Sequence, residues 1–191
     1  DAGRIRFAGT DITAWPVHRR AHAGLQRSYQ ITSLFPDFTA AENVALAVQA
    51  RQGHSFCFLA PAREIPSLRE PALAVLGRLG LAAKADVPAS RLGHGEQRQL
   101  ELAMALATRP KMLLLDEPTA GMSRTESRRM MGILRPLKGK VTILLVEHDM
   151  DVVFALADAI TVLVKGKAIV TGPPAEVRAD EDVRRAYLGN Y

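Results

Sequence analysis

Two continuous apolar runs, "MLLL" at 112–115 and "VTILLV" at 141–146, each follow a stretch with helical periodicity and predict an α/β chain whose parallel sheet is covered by helices. The first run ends in adjacent acids, Asp116 and Glu117, stopped by Pro118. In an open parallel sheet ligands bind outside the carboxyl ends of the strands, so the acids stand where chemistry is expected. With 191 residues, 48% of them hydrophobic, the chain can bury a real core.

"GRIRFAG" and "TDI" read as a short hairpin, Pro16 to Ala23 as a brief helix, and "LQRSYQ" as a strand ending at Gln30. Thr39-Ala-Ala-Glu42 is a capping-box start for the helix "AAENVALAVQA". A second helical pattern, "PALAVLGRLGL", follows a loop expected to be broken by Pro61, Pro66 and Pro71. Beyond it come a helix over 95–107, strand 112–115, a helix opened by the capping box Ser123-Arg-Thr-Glu126, and strand 141–146. A helix over 150–157, strands "ITVLV" and "AIVTG" turning at Lys165-Gly166-Lys167, and two terminal helices complete the chain. This gives a core remnant at 1–31, a helical subdomain at 32–92, an α/β core at 93–172 and C-terminal helices at 173–191.

Several function classes fall away. The single Cys57 offers no intrachain disulfide and no CxxC zinc site. No apolar run approaches the roughly 18 residues that span a bilayer, and a cytoplasmic protein is expected. The net charge of +5 comes from scattered pairs such as Arg19-Arg20 and Arg128-Arg129, without interleaved aromatics, and reads as solvated surface; no nucleic-acid partner is expected.

An aspartate at a strand end can hold Mg²⁺ through water, and a neighbouring glutamate can take a proton from an attacking water. The same Asp-Glu-Pro-Thr also suits a turn that caps the next helix. "VEHDM" sets His148 after the second strand, within reach of a terminal phosphate or as a plain loop residue. Gln30 closes a third strand with a neutral oxygen suited to a metal or its water. In "RLGHGEQRQ", Gly93 and Gly95 flank His94 just before a helix, where free backbone N–H groups form a ready anion site; Glu96 and Gln97 follow at once.

Together these stretches resemble the ATP-binding cassette (ABC) transporter ATPases, which implies an ABC core of the P-loop type with a helical subdomain. "LGHGEQRQ" is similar to their signature loop, "MLLLDEP" to Walker B, "TAGMS" to the D-loop, Gln30 to the Q-loop glutamine and His148 to the switch histidine. "RSYQITSLFPDFTAAENV", "VEHDMDVVFALAD" and "RRAYLG" look most like the branch serving branched-chain amino-acid importers, with importers of urea and short amides close by. The resemblance implies ATP and Mg²⁺, a second cassette subunit, a transmembrane permease, indirectly a substrate-binding protein, and a peripheral place on the cytoplasmic face of the inner membrane. It assigns Glu117 and His148 to catalysis, Asp116 and Gln30 to the metal, and Gln30, Gly93, His94, Gly95, Glu96 and Gln97 to nucleotide.

Two departures stand out. No G-x-x-x-x-G-K-[ST] loop is present: Gly139-Lys140 and Gly166-Lys167 follow Leu134 and Thr161 where a first glycine belongs. With Asp1-Ala2-Gly3 running straight into a strand, the chain is expected to be truncated ahead of residue 1 and inactive as it stands, or to act only by docking to a permease or partner ATPase. A soluble, non-transport ABC ATPase is the other alternative. Gly93 stands where the family usually has serine, either through loss of a hydroxyl or because the backbone there needs glycine.

Overall fold

The apolar runs pair as expected in this computed structural model, which describes residues 3–27, 34–53 and 65–188. Strand β3 (Leu25–Arg27), β4 (Met112–Asp116) and β5 (Thr142–Val146) form a parallel sheet with β4 in the middle. Leu25 lies opposite Met112, Arg27 opposite Leu114 and Asp116 opposite Val146. Ahead of the sheet, β1 (Arg6–Phe7) and β2 (Thr10–Asp11) make the hairpin, and α1 (Val17–His22) leads into β3. The chain forms two compact units, 1–146 and 147–191, the boundary falling inside the segment expected to run as one core from 93 to 172.

Helices α2 (Ala40–Gln52), α3 (Pro66–Arg78) and α4 (His94–Ala107) pack on one another. Small residues allow the close approach: Ala40, Ala41, Ala72 and Ala103 are fully or almost fully buried beside Val44, Leu76 and Leu100. The Thr39–Glu42 capping box forms as read, the Thr39 hydroxyl accepting from Glu42 N–H and Glu42 Oε2 accepting from Thr39 N–H at 2.8 Å. The expectation that Pro66 and Pro71 break a loop is corrected. Pro66 takes the first helical position of α3, where a missing N–H costs nothing, and Pro71 lies inside the helix. Pro71 cannot donate to the Ser67 carbonyl one turn back; Gln52 Nε2 donates to that oxygen instead, at 3.2 Å, so the helix continues without an orphaned acceptor.

Helix α5 (Arg124–Leu134) starts at the expected box, with Ser123 as N-cap. On β4, Leu113 and Leu115 are buried while Met112 and Leu114 are half-buried. On β5, Leu144 and Val146 remain 53% and 55% exposed. Coverage of both sheet faces, expected from the apolar runs, therefore holds for β4 in part and fails for one face of β5. Gly139 sits in the turn before β5 at φ 76°, which disposes of the first Gly-Lys pair as a phosphate loop.

In the second unit, α6 (Met150–Leu156) is N-capped by Asp149, whose carboxylate accepts from Asp151 and Val152 N–H. Strands β6 (Ile160–Val164) and β7 (Lys167–Gly172) form an antiparallel hairpin whose turn places Lys165 and Gly166 at φ 50° and 78°. That accounts for the second Gly-Lys pair. Helices α7 (Pro174–Ala179) and α8 (Glu181–Val183) bring Val177 and Val183 into one buried cluster with Ile160 and Val162, and the chain runs on in a wide turn where Tyr187 Oη donates to Leu163 O at 2.7 Å.

Candidate active site

The sheet carries Asp116 to the carboxyl end of its central strand. Its Oδ2 accepts from Arg27 Nη2 at 3.2 Å. Arg27 pairs with Leu114 across the sheet, and Leu114 and Asp116 share a face of β4, so the guanidinium need only reach two residues along the same side. The sequence reading missed Arg27, since parallel register is not legible from one strand. Behind Asp116 a small cleft is lined by Leu102, Leu115, Pro118, Met130 and the pair Arg98–Glu101, in which Nη1 donates to Oε2 at 2.9 Å.

Glu117 turns the chain sharply. Its φ is 45°, left-handed and unusual for a residue with a side chain, and its N–H donates to Val146 O at 2.9 Å. The bond extends the β4–β5 ladder by one step and holds the strained residue in place; Ala120 N–H then bonds back to Glu117 O, and Thr119 is buried beneath the turn.

The start of α4 differs from its expected form. Gly93 is the N-cap, and its N–H donates to Glu96 Oε2 at 3.0 Å. Glu96 also pairs with Lys84 Nζ. The lysine's hydrogen bond, with the Gly93 N–H, holds its carboxyl below the usual glutamate range against a modest cost of burial. Gly95 is buried, and the carboxylate of Glu126 from α5 stands where a side chain at Gly95 would. The Gly93 N–H, expected to be free, is thus met by Glu96, and the Glu126 carboxylate stands beside Gly95. Gln97 is also occupied, its Nε2 donating to Ala89 O at 3.0 Å and tying α4 to the turn before it. His94 and Gly93 stay exposed, the imidazole lying over Gly121 of the "TAGMS" segment.

His148 is in the second unit, immediately after Glu147. The Glu147 side chain is buried while that of His148 is 69% exposed; Glu147 Oε2 accepts from His148 N–H at 3.2 Å and lies 4.0 Å from Nδ1. Gln30 and Cys57 lie outside the described residues. The first unit therefore brings together Asp116 and Glu117 at one strand end, and Gly93, His94, Gly95, Glu96 and Gln97 at one helix start.

A family model described as ABC transporter matches residues 1–120, and one described as branched-chain amino acid ATP-binding cassette transporter matches residues 169–191. The chain is 36% identical over 194 residues to the high-affinity branched-chain amino acid transport ATP-binding protein BraF of Pseudomonas aeruginosa, covering 98% of this chain and 76% of that protein. It is 35% identical over 196 residues to LivG of Escherichia coli K12, of the same description, with the same two coverages. Among solved structures, a nucleotide-free ATP-binding cassette from an ABC transporter superposes with a TM-score of 0.80 at 26% identity, covering 100% of this chain and 78% of that one.

Proposed function

The chain belongs to the ATP-binding cassette family of transporter ATPases, in the branched-chain amino acid branch, and we propose that it works as the cassette subunit of an importer for branched-chain amino acids or related small amides. The observation that carries the reading is Asp116-Glu117 at the end of the central parallel strand, with Glu117 fixed by Val146 O. Glu117 acts as general base, taking the proton of the water that attacks the terminal phosphate of ATP. His148 contacts that phosphate. The exposed Gly93 and His94 face the nucleotide of a second cassette subunit, with Glu96 and Gln97 holding the loop from behind.

Among the described residues no cluster of three His, Cys, Asp or Glu side chains could cage a metal. Mg²⁺ fits this setting, because it keeps its waters and is held by one or two carboxylates together with substrate phosphates. Asp116, half-buried and oxygen-only, would hold it through water, and Gln30 is proposed as its further ligand; the ion would neutralise charge on the transferring phosphate. Residues 1–191 contain no phosphate loop, and these residues by themselves are proposed not to turn over ATP.

Docking to a permease rests on the first unit's aromatic corner. Phe35 and Phe38 stack with ring centroids 5.4 Å apart and remain 50% and 41% exposed. Buried Asn43 fixes them, accepting from Phe35 N–H and donating to the carbonyls of Phe35, Phe38 and Thr39. Among the described residues no helix is long and apolar enough to cross a membrane. We propose a peripheral place at the cytoplasmic face, held by such docking. The reading is tested by fusing the chain behind the phosphate-loop segment of BraF and expressing it in cells lacking their own branched-chain cassettes. ATP-dependent leucine uptake is expected; restored uptake of another substrate class alone would move the chain to another importer.

A further inference from the structure

We propose that Glu126 is the positioning residue that locks the signature loop to the D-loop within one chain, so that the two loops move as one body. The inference rests on the reading of Gly93–Glu96 as the loop that faces a partner's nucleotide, and it adds what holds that loop. Glu126 is shared between two helix starts. Its Oε2 accepts from Ser123 N–H at 2.9 Å and from the Ser123 hydroxyl at 2.7 Å, which closes the cap of α5 directly after the D-loop. Its other oxygen faces α4: a Cβ built on Gly95 would lie 2.5 Å from Oε1 and 3.0 Å from Cδ.

At Gly95 a carboxylate fills the space where a side chain would stand, so a larger residue there would have to swing Glu126 aside. The backbone there has no need of glycine, since Gly95 is absent from the positive-φ residues. A second contact closes the clasp. His94 Cε1 lies 3.4 Å from where a Cβ of Gly121 would be, so the imidazole packs on the D-loop at its left-handed glycine, φ 72°. With Glu126 at one end and His94 at the other, a push on the signature loop by a bound nucleotide passes to the D-loop without an intervening side-chain rearrangement.

The test is a double-mutant cycle on the 191-residue chain with Gly95→Ala, Glu126→Ala and both, read by the unfolding equilibrium in denaturant. Gly95→Ala should be less favourable in the parent, where Glu126 must swing aside, than after Glu126→Ala has vacated the space, by about three-fold or more in the folding constant. Equal effects in both backgrounds overturn the clasp. Glu126→Gln, which keeps the volume but offers one acceptor oxygen, guards against a variant that fails to fold. Its amide hydrogen exchange should rise about three-fold or more over residues 93–97, which the carboxylate braces, while most of α5 stays protected. Exchange unchanged over residues 93–97 would reduce Glu126 to a cap for α5 alone and overturn the proposal. Capture of the same chains by an ATP-loaded cassette that carries a phosphate loop separates the two readings. If the parent chain is not captured, the nucleotide-facing assignment fails, while the cycle and the exchange rates still decide the clasp.

Discussion

The start of α4 and the end of β4 are built on opposite principles. At the start of α4 charge is matched locally: Glu96 sits between Gly93 N–H and Lys84, Glu126 bonds Ser123 and lies against Gly95, and Gln97 bonds Ala89 O. At the end of β4 the backbone is forced, with Glu117 in the left-handed region and its N–H bonded to Val146 O. The first region is finished by its own chain; the second stores strain at the residue that carries the carboxylate. A surface that docks on a partner benefits from rigidity before docking, whereas a reacting group is placed by geometry that the fold must sustain at a cost.

The comparison breaks first at Glu117. In the chain fused to a phosphate-loop segment, Glu117→Gln should reduce turnover by about 100-fold or more while ATP affinity changes little, because an amide still hydrogen-bonds but cannot take the proton. Steady-state hydrolysis beside nucleotide titration measures both; lost binding with normal turnover per bound ATP would remove Glu117 from its role. Glu117→Gly should also stop turnover yet raise stability by about 1 kcal/mol in denaturant unfolding, since glycine relieves the left-handed strain. A loss of stability would mean that the turn is unstrained.

At the start of α4 the same kind of change should cost stability. Glu96→Gln removes the charge that Lys84 and Gly93 N–H answer, and should cost about 1 kcal/mol or less, the pair being partly exposed. Because the Glu96 carboxyl is held below its usual range, its contribution is present at neutral pH and disappears as pH falls through its folded value. Melting temperatures of parent and Glu96→Gln should therefore differ at pH 7 and converge under acid; a gap that persists at low pH would assign the loss to packing. Gly93→Ser should have the smallest effect, a gain of a few tenths of a kcal/mol. Gly93 has φ −65°, and a Cβ there would be in ordinary contact with Glu96 Oε2 at 3.7 Å, so serine fits and adds a capping hydroxyl. The positive-φ explanation for Gly93 is thereby set aside.

How much of this was legible follows the range of each interaction. Both capping boxes, Thr39–Glu42 and Ser123–Glu126, were readable because donor and acceptor lie three residues apart. The β4–β5 pair was readable from continuous apolar runs, and Asp116 fell where a strand end was expected. Pro71 was misread because its local rule, that proline breaks a helix, is overridden by Gln52 from another helix. Gly95 was read as an opening for an anion when an anion of the chain's own, 31 positions later in sequence, already stood there. Arg27 beside Asp116 and Glu147 beneath His148 were missed for the same reason: nothing in their neighbours along the chain marks the partner that the fold brings to them. Gln30 lies outside the described residues, and its role remains a proposal carried by the resemblance of "LQRSYQ".

The most direct test of the account is the assembly state of the phosphate-loop fusion carrying Glu117→Gln, followed by sedimentation with and without ATP. If the α4 start faces a partner's nucleotide and Glu117 serves only in hydrolysis, the protein should be monomeric without nucleotide and a stable dimer with ATP. Adding Gly93→Ser should strengthen that dimer. A protein that binds ATP yet sediments as a monomer, with or without the serine, would contradict the assignment of the Gly93–Glu96 loop to the partner's site.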